Sequence, residues 1–450
     1  MTVCPGTMSA MDNVSLVLPA EDPLRHELHN EVHARPPARI RLPALLTYVA
    51  VLHEGVSREQ EWEHLRRLPG LEDLTPDRLQ GSFLSLRLAG CTLKWERHTE
   101  FTRYSIVQTL PEGSGLGQRD PGLMRHLAVP GDWLAGIPGQ TFAAIQLVMV
   151  TGDVSRPKDC VAAARTWLGE HPVVASLMGN QGHSVAVTDF ALRDTGFERM
   201  LVIAEEGTNE TRTGRIAARL LELETYRLMA LRGLPVAKTL GPMLAEAERR
   251  LADITAQMED KRSSEQALLD TLVSLAARVE RATAEHAYRF SATQAYDALV
   301  GQRIAELREQ PIPGTQTIGD FMQRRLSPAM ATVISTASRL SSLSNRITRT
   351  SALLRTRVDI ATEGQNQQLL ERLAQGQATQ LRLQSTVEGL SIAAISYYVV
   401  SLILYVAKAG KAAGLPVQPE LLAGAIIPLV LLGVWHTIRR IHARLHAGHG

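Results

Sequence analysis

The 450-residue chain carries 48 Lys+Arg against 46 Asp+Glu, a formal net charge of +2, and only 4% of it is aromatic. The near-balance of charge excludes the basic excess of a dedicated nucleic-acid binder. A hydrophobic share of 45% with 21% charged residues excludes wholesale disorder. About three folding units are expected at roughly 150 residues each, and the low aromatic content suits long helices better than a β-sandwich.

Residues 1–22 read as a flexible leader. Cys4, Pro5, Gly6 and Pro19 interrupt it, and neither a basic start nor an apolar stretch marks a signal peptide. The three cysteines, Cys4, Cys91 and Cys160, have no metal-ligand spacing, as expected of thiols acting as small hydrophobes in a reducing compartment. Residues 23–207 predict an α+β domain. Short β-prone runs recur at Leu45–Leu52, Phe83–Leu88, Thr92–Trp95, Phe101–Gln108, Phe142–Val150, Ser184–Phe190 and Met200–Ala204. Helices are predicted at Arg58–Leu68 and Asp159–Gly169. Gly90 and the Gly179–Gly182 segment read as turns, so a mixed, largely antiparallel sheet is expected.

From residue 208 to 388 the pattern turns helical. Gly214–Arg232 is predicted as one helix ending at Gly233-Leu234-Pro235. Apolar positions then step by three and four through Leu244, Ala247, Leu251, Ile254 and Met258, and again through Leu268, Leu272, Leu275, Val279 and Ala282, with the seam interrupted at Lys261 and Glu265. After a turn at Pro311-Ile312-Pro313-Gly314 a second seam follows through Val333, Leu340, Ile347, Leu354 and Ala361. The expected arrangement is a coiled-coil-like antiparallel hairpin of two long helices.

Residues 389–438 predict a transmembrane helical hairpin. Leu390–Ala407 and Leu421–Ile438 contain no charge and are each long enough to cross a hydrocarbon core of about 30 Å. Arg439, Arg440 and Arg444 follow the second span, Arg372 and Arg382 precede the first, and Lys408 and Lys411 lie between. The larger basic count at the two ends places both termini in the cytoplasm of a cell with a bacterial inner membrane, with residues 439–450 as a basic tail. A polar seam runs down the helix into the first span through Gln377, Gln380, Gln384, Glu388, Ser391, Tyr398, Ser401 and Tyr405. Polar groups are costly against lipid, so this face should meet protein, either the second span or further copies of the first.

Two polar clusters stand out in the α+β part. One holds Glu31, His33 and Arg35, and the other holds Glu96, Arg97, His98 and Glu100. If they met, the carboxylates and imidazoles would form a metal or acid–base site. The spacing is not diagnostic of one, and a hydrogen-bonded ion-pair network is the favoured reading. Phosphate-binding, dinucleotide-binding and nucleophile-elbow motifs are missing, and no cofactor is implied.

The segments Asn30–Pro36, Lys94–Phe101, Leu221–Pro235, Tyr288–Val300 and Leu381–Tyr398 resemble a family of uncharacterised, mostly proteobacterial, membrane-anchored proteins with a domain of unknown function. Val32 and Arg232 depart from its usual pattern. The resemblance implies an inner-membrane protein with a cytoplasmic body and suggests that the two polar clusters belong together. It brings no reaction or cofactor. The layout is also similar to that of CorA-type magnesium channels, although Lys408-Ala409-Gly410 stands where they carry Gly-Met-Asn. The leading expectation is a non-enzymatic, homo-oligomeric scaffold in the lipid bilayer that presents its body to an unknown protein partner. An oligomeric ion conduit and a metal-dependent hydrolase are the alternatives.

Overall fold

A computed structural model describes residues 22–26, 28–29, 38–112, 122–169, 171–260, 264–413 and 418–446. The chain forms two compact units. The first contains the described residues up to Thr255 together with Leu272–Thr348, and the second contains Ala256–Thr271 and the described residues from Arg349 onward.

The first unit is built on a nine-stranded sheet of order β2-β3-β4-β1-β5-β8-β7-β6-β9. Its strands are β1 (Ala44–Leu52), β2 (Phe83–Leu88), β3 (Cys91–Arg97), β4 (Phe101–Thr109), β5 (Gln140–Thr151), β6 (Val174–Met178), β7 (Ser184–Leu192), β8 (Glu198–Ala204) and β9 (Gln310–Pro311). Neighbours pair antiparallel except β5 and β8, which are parallel. The expected mixed, mostly antiparallel sheet is therefore present, and β6 and β9 are additions to the predicted strands. The apolar run of β1 is buried along nearly its whole length, as a central strand covered on both faces must be. Gly90, at φ +89°, makes the tight turn that pairs Leu88 with Cys91.

One sheet face is covered by α1 (Arg58–Arg66), the short α2 (Gly131–Ala135) and α3 (Pro157–Leu168). Ser57 opens α1 with a reciprocal cap to Gln60. Leu65 of α1 packs with Trp95, Tyr104 and Trp133. Trp167 and Val161 of α3 pack on Val185, Val187, Leu201 and Ile203. Trp95, Trp167 and Tyr104 are 0–1% exposed, and burial on this scale contributes about 2–3 kcal/mol per large side chain. Cys91 and Cys160 are buried free thiols, consistent with service as small hydrophobes.

The opposite face receives α4 (Glu210–Leu231), capped by Asn209, whose side chain accepts from the amide of Arg212 at 2.8 Å. Arg232 separates it from α5 (Gly233–Asp260), which begins at once, with Pro235 tolerated in its first turn. α6 (Glu265–Leu307) runs back along α4 and α5: Arg219 meets Glu306, Arg303 meets Glu222, and Arg278 meets Glu246. α5 ends and α6 begins on either side of the predicted seam interruption, where residues 261–263 lie outside the described ones. Then come α7 (Ile318–Arg325), capped by Thr317, and α8 (Ser327–Ala412). Among the described residues the helical part holds three long helices, α5, α6 and α8, where a hairpin of two was expected.

The helices α4, most of α5 and most of α6 share a unit with the sheet, and β9 is delivered to it from beyond α6. The predicted seam is nonetheless the buried one, with Leu244, Leu251, Leu272, Val279, Val333 and Leu354 each at most 1% exposed.

In the second unit, Arg357 of α8 donates to the carbonyl of Met258 at 2.5 Å and faces Glu265 at 3.5 Å. The last element is α9 (Pro419–His446). Two C-terminal helical stretches, within Ile318–Ala412 and at Pro419–Thr437, are long and apolar enough to cross a membrane. Along the end of α8 the sheltered positions are Ser396, which is 4% exposed, and the half-buried Ile392, Val399 and Ile403. Of the predicted polar seam, Gln377, Gln380, Gln384, Tyr398 and Tyr405 are exposed, while Glu388, Ser391 and Ser401 are half-buried.

Candidate functional site

Strand alternation separates the residues that the sequence groups together. In β3, Trp95 and Arg97 point to the α1 side, and Glu96 points to the α4 side. Arg97 donates to Glu61 of α1 at 2.6 Å and to the carbonyl of Val56 at 2.9 Å. Thr102 donates to the other oxygen of Glu61 at 2.6 Å, and His53 Nδ1 lies 3.0 Å from the Thr102 hydroxyl. His98 stacks on Phe101 with ring centroids 4.5 Å apart, and Glu100 pairs with Arg289 of α6. Glu96, Arg97 and Glu100 therefore each have their own ion-pair partner. Glu31, His33 and Arg35 lie outside the described residues. Among the described residues no three His, Cys, Asp or Glu side chains gather closely enough to hold a metal ion.

On the α4 side the charges form a chain. Arg103 of β4 pairs with Glu96 and donates to Glu222 of α4 at 3.2 Å. Arg303 of α6 donates to Glu222 at 2.6 Å and to Glu306 at 2.9 Å. Burial alone would raise the Glu96 carboxyl, but the Arg103 guanidinium outweighs it and holds the group below its ordinary range. Burial lowers the Lys94 ammonium, against the pull of Glu96. Tyr48 bonds the Thr225 hydroxyl at 2.7 Å, and burial pushes its phenol up, so it stays protonated.

Tyr48, Lys94, Glu96, Arg103 and Glu222 line a cavity of about 150 Å³ between the sheet and α4, together with Leu46, Val107, Ala217 and Leu221. Ala38, the first described residue after Pro37, also lines it. The Ala38 carbonyl sits where a Cβ on Gly214 would be, 1.6 Å away, so only glycine at that point of α4 admits the incoming chain. The segment that follows the first polar cluster thus enters beside Glu96 of the second. The Glu96 carboxylate, held below its ordinary range by Arg103, is a poor base. The chemistry of this cavity is an electrostatic clasp that fastens the sheet to α4 and α6.

A second buried group was not anticipated from the sequence. Glu198 at the start of β8 faces Arg227 of α4 at 3.9 Å, and Arg227 also pairs with Glu224, which is fully buried. Burial first, and then the neighbouring Glu224, pushes the Glu198 carboxyl up to about 9. Nearby, Asp189 pairs with Arg193, and Phe190, at φ +49° in the register shift of β7, stacks on Phe321 of α7. Sequence reading missed Glu61 because it sits in a charged helix that reads as solvated. It missed Glu222, Glu224 and Arg303 because nothing local marks one polar residue of an amphipathic helix as facing inward.

The profile of one protein family, described as a protein of unknown function (DUF3422), matches residues 20–445. No curated protein and no solved structure matches the chain.

Proposed function

The chain belongs to the DUF3422 family of proteins of unknown function, and we propose that it is a membrane-anchored, self-associating protein whose sheet-and-helix body meets a protein partner. One observation carries the anchoring. Only 6% of the apolar window of either C-terminal helix is buried within the chain, where a core hairpin of a soluble protein would be covered by its own fold. Leu402, Val406, Leu421 and Leu429 are 66–70% exposed, and lipid is the solvent that suits them. Tyr405 and Trp435, near the ends of the two spans, suit the headgroup level, and the arginines beyond each end favour both ends of the hairpin on the cytoplasmic side of an inner membrane.

Self-association rests on the exposed polar stripe. Tyr398 and Tyr405 lie away from the sheltered side of α8, so the chain's own second apolar helix does not cover them, and copies of the first span remain as partners.

Fractionation of the full chain and cysteine cross-linking in native membranes test the reading together. The chain should resist alkaline extraction and dissolve only with detergent. Tyr398→Cys should give cross-linked dimers, and Ile403→Cys, on the sheltered side, should not. A chain recovered as a soluble species without detergent overturns the anchoring. Equal cross-linking from both positions overturns the packing.

A further inference from the structure

On the far side of α4 from the clasp, the β6–β7 turn, the first turns of α4 and the end of α6 enclose a cleft of about 440 Å³. That volume falls in the range of small-molecule pockets, about 300–1,000 Å³. α4 contributes Arg212, Arg215 and Arg219 at spacings of three and four, so they share one helix face. Arg308, the residue that follows α6, adds a fourth guanidinium.

Only one of the four is neutralised. Arg219 pairs with Glu306 at 3.2 Å, and Glu306 is also held by Arg303 and Gln302. Among the described residues no acid or carbonyl pairs with the side chains of Arg212, Arg215 or Arg308. Arg212 and Arg215 stand one turn apart, and like charges at that spacing cost stability unless an anion lies between them. Arg308 is held at φ +48°, a left-handed conformation uncommon for a side chain of its size.

The opposing wall is fixed. Gly179 donates its amide to the carbonyl of Leu307 at 3.0 Å, and Gln310 donates to the carbonyl of Asn180 at 2.8 Å. His183 lines the same cleft, and burial and then Arg212 hold its imidazole below its ordinary value, against an opposing pull from Glu205. It is therefore neutral near pH 7 and adds no repulsion to the guanidiniums.

We propose that this cleft binds a phosphate-bearing small molecule, with Arg212, Arg215 and Arg308 as its ligands. Planar guanidinium forks match the oxygens of a phosphate two at a time, and three of them approaching from two elements suit a dianion better than a single carboxylate. The same chemistry reads a soluble phosphate ester or the headgroup of an anionic lipid.

The test uses the full chain in a neutral detergent, with labelled pyrophosphate as the probe and soluble dihexanoyl phosphatidic acid, a phosphomonoester lipid, as competitor and as a second probe. Saturable binding of at least one probe is expected, weakened by on the order of tenfold in Arg212→Gln, in Arg215→Gln and in Arg308→Gln. It should be unchanged in Arg324→Gln, an exposed arginine of α7 outside the cleft. Pyrophosphate binding that the lipid does not displace identifies a soluble ester as the source. Binding of the lipid alone, with the same arginine dependence, identifies a headgroup. The unfolding temperature of Arg212→Gln without ligand should be unchanged or higher, since a repulsion is relieved, and a fall of several degrees would mark the arginine as structural. Absence of saturable binding by either probe, or binding indifferent to all three arginines, overturns the site.

Discussion

The guanidinium of Arg97 meets the carboxylate of Glu61 at 2.6 Å, across an interface in which the Glu61 side chain is wholly removed from water. The pair ties β3 to α1, and Thr102 satisfies the second carboxylate oxygen. A buried charge that loses its partner costs about 3–5 kcal/mol, whereas replacing both charges by apolar groups costs far less. Arg97→Met should therefore lower stability by roughly 3 kcal/mol, and adding Glu61→Leu should recover most of that loss. Denaturant unfolding followed through the buried Trp95 and Trp133 would show it, and a double variant no better than Arg97→Met would refute the account.

Two glycines of similar helical setting should respond in opposite senses. Gly214 has the Ala38 carbonyl 1.6 Å from its would-be Cβ, and Gly301 of α6 has nothing within 4 Å. Gly214→Ala must push the entering chain off α4, at a cost of about 2–3 kcal/mol. Gly301→Ala gains helix propensity and should stabilise by about 0.5–1 kcal/mol. Melting curves of the two variants decide the point, and equal effects would contradict the close approach.

Stability should peak on the mildly acidic side of neutrality. The folded chain pushes Glu198 up to about 9 from an ordinary 4.5, so the folded state binds the extra proton between those values. Its contribution is whole below about 4.5 and is lost as pH rises through about 9. His64, buried against Trp133 at 4.6 Å, is pulled by burial, then by Arg67, to about 4 from 6.5. That contribution is present above 6.5 and is lost as pH falls through about 4. Glu198→Gln should flatten the alkaline limb and raise stability at pH 8.5 by on the order of 1 kcal/mol. Urea midpoints across the pH range measure this, and an alkaline limb unchanged by the substitution would assign it to other groups.

The sheet was legible where the chain makes long runs of β-branched and apolar residues. β2 has the predicted bounds, and β1, β4, β5, β7 and β8 are found where alternation or continuous hydrophobicity announced them. β6 escaped because its five residues, Val174–Met178, give too short a run to show a period, and β9 because a two-residue strand containing Pro311 has none. Helix seams showed clearly, yet no proline announced that α5 ends at Asp260 and a separate α6 starts at Glu265. The polar site was the least legible. Glu96 was singled out as one of a charged group, but its partner's partner, Glu222, is 119 residues from Arg103 and leaves no mark on the local sequence.

The late arrival of β9 bears on how the protein is made. The exposed flank of β6 is sealed by Gln310 and Pro311, which pair with Leu177 and Ser176, and Gln316 adds one further bond to Ala175. A nascent chain must hold that flank open until α4, α5 and α6 have all left the ribosome. Any fragment that stops after β8 offers bare amides and carbonyls to its neighbours, and it should precipitate strand-to-strand unless a chaperone or the remainder of the polypeptide covers them.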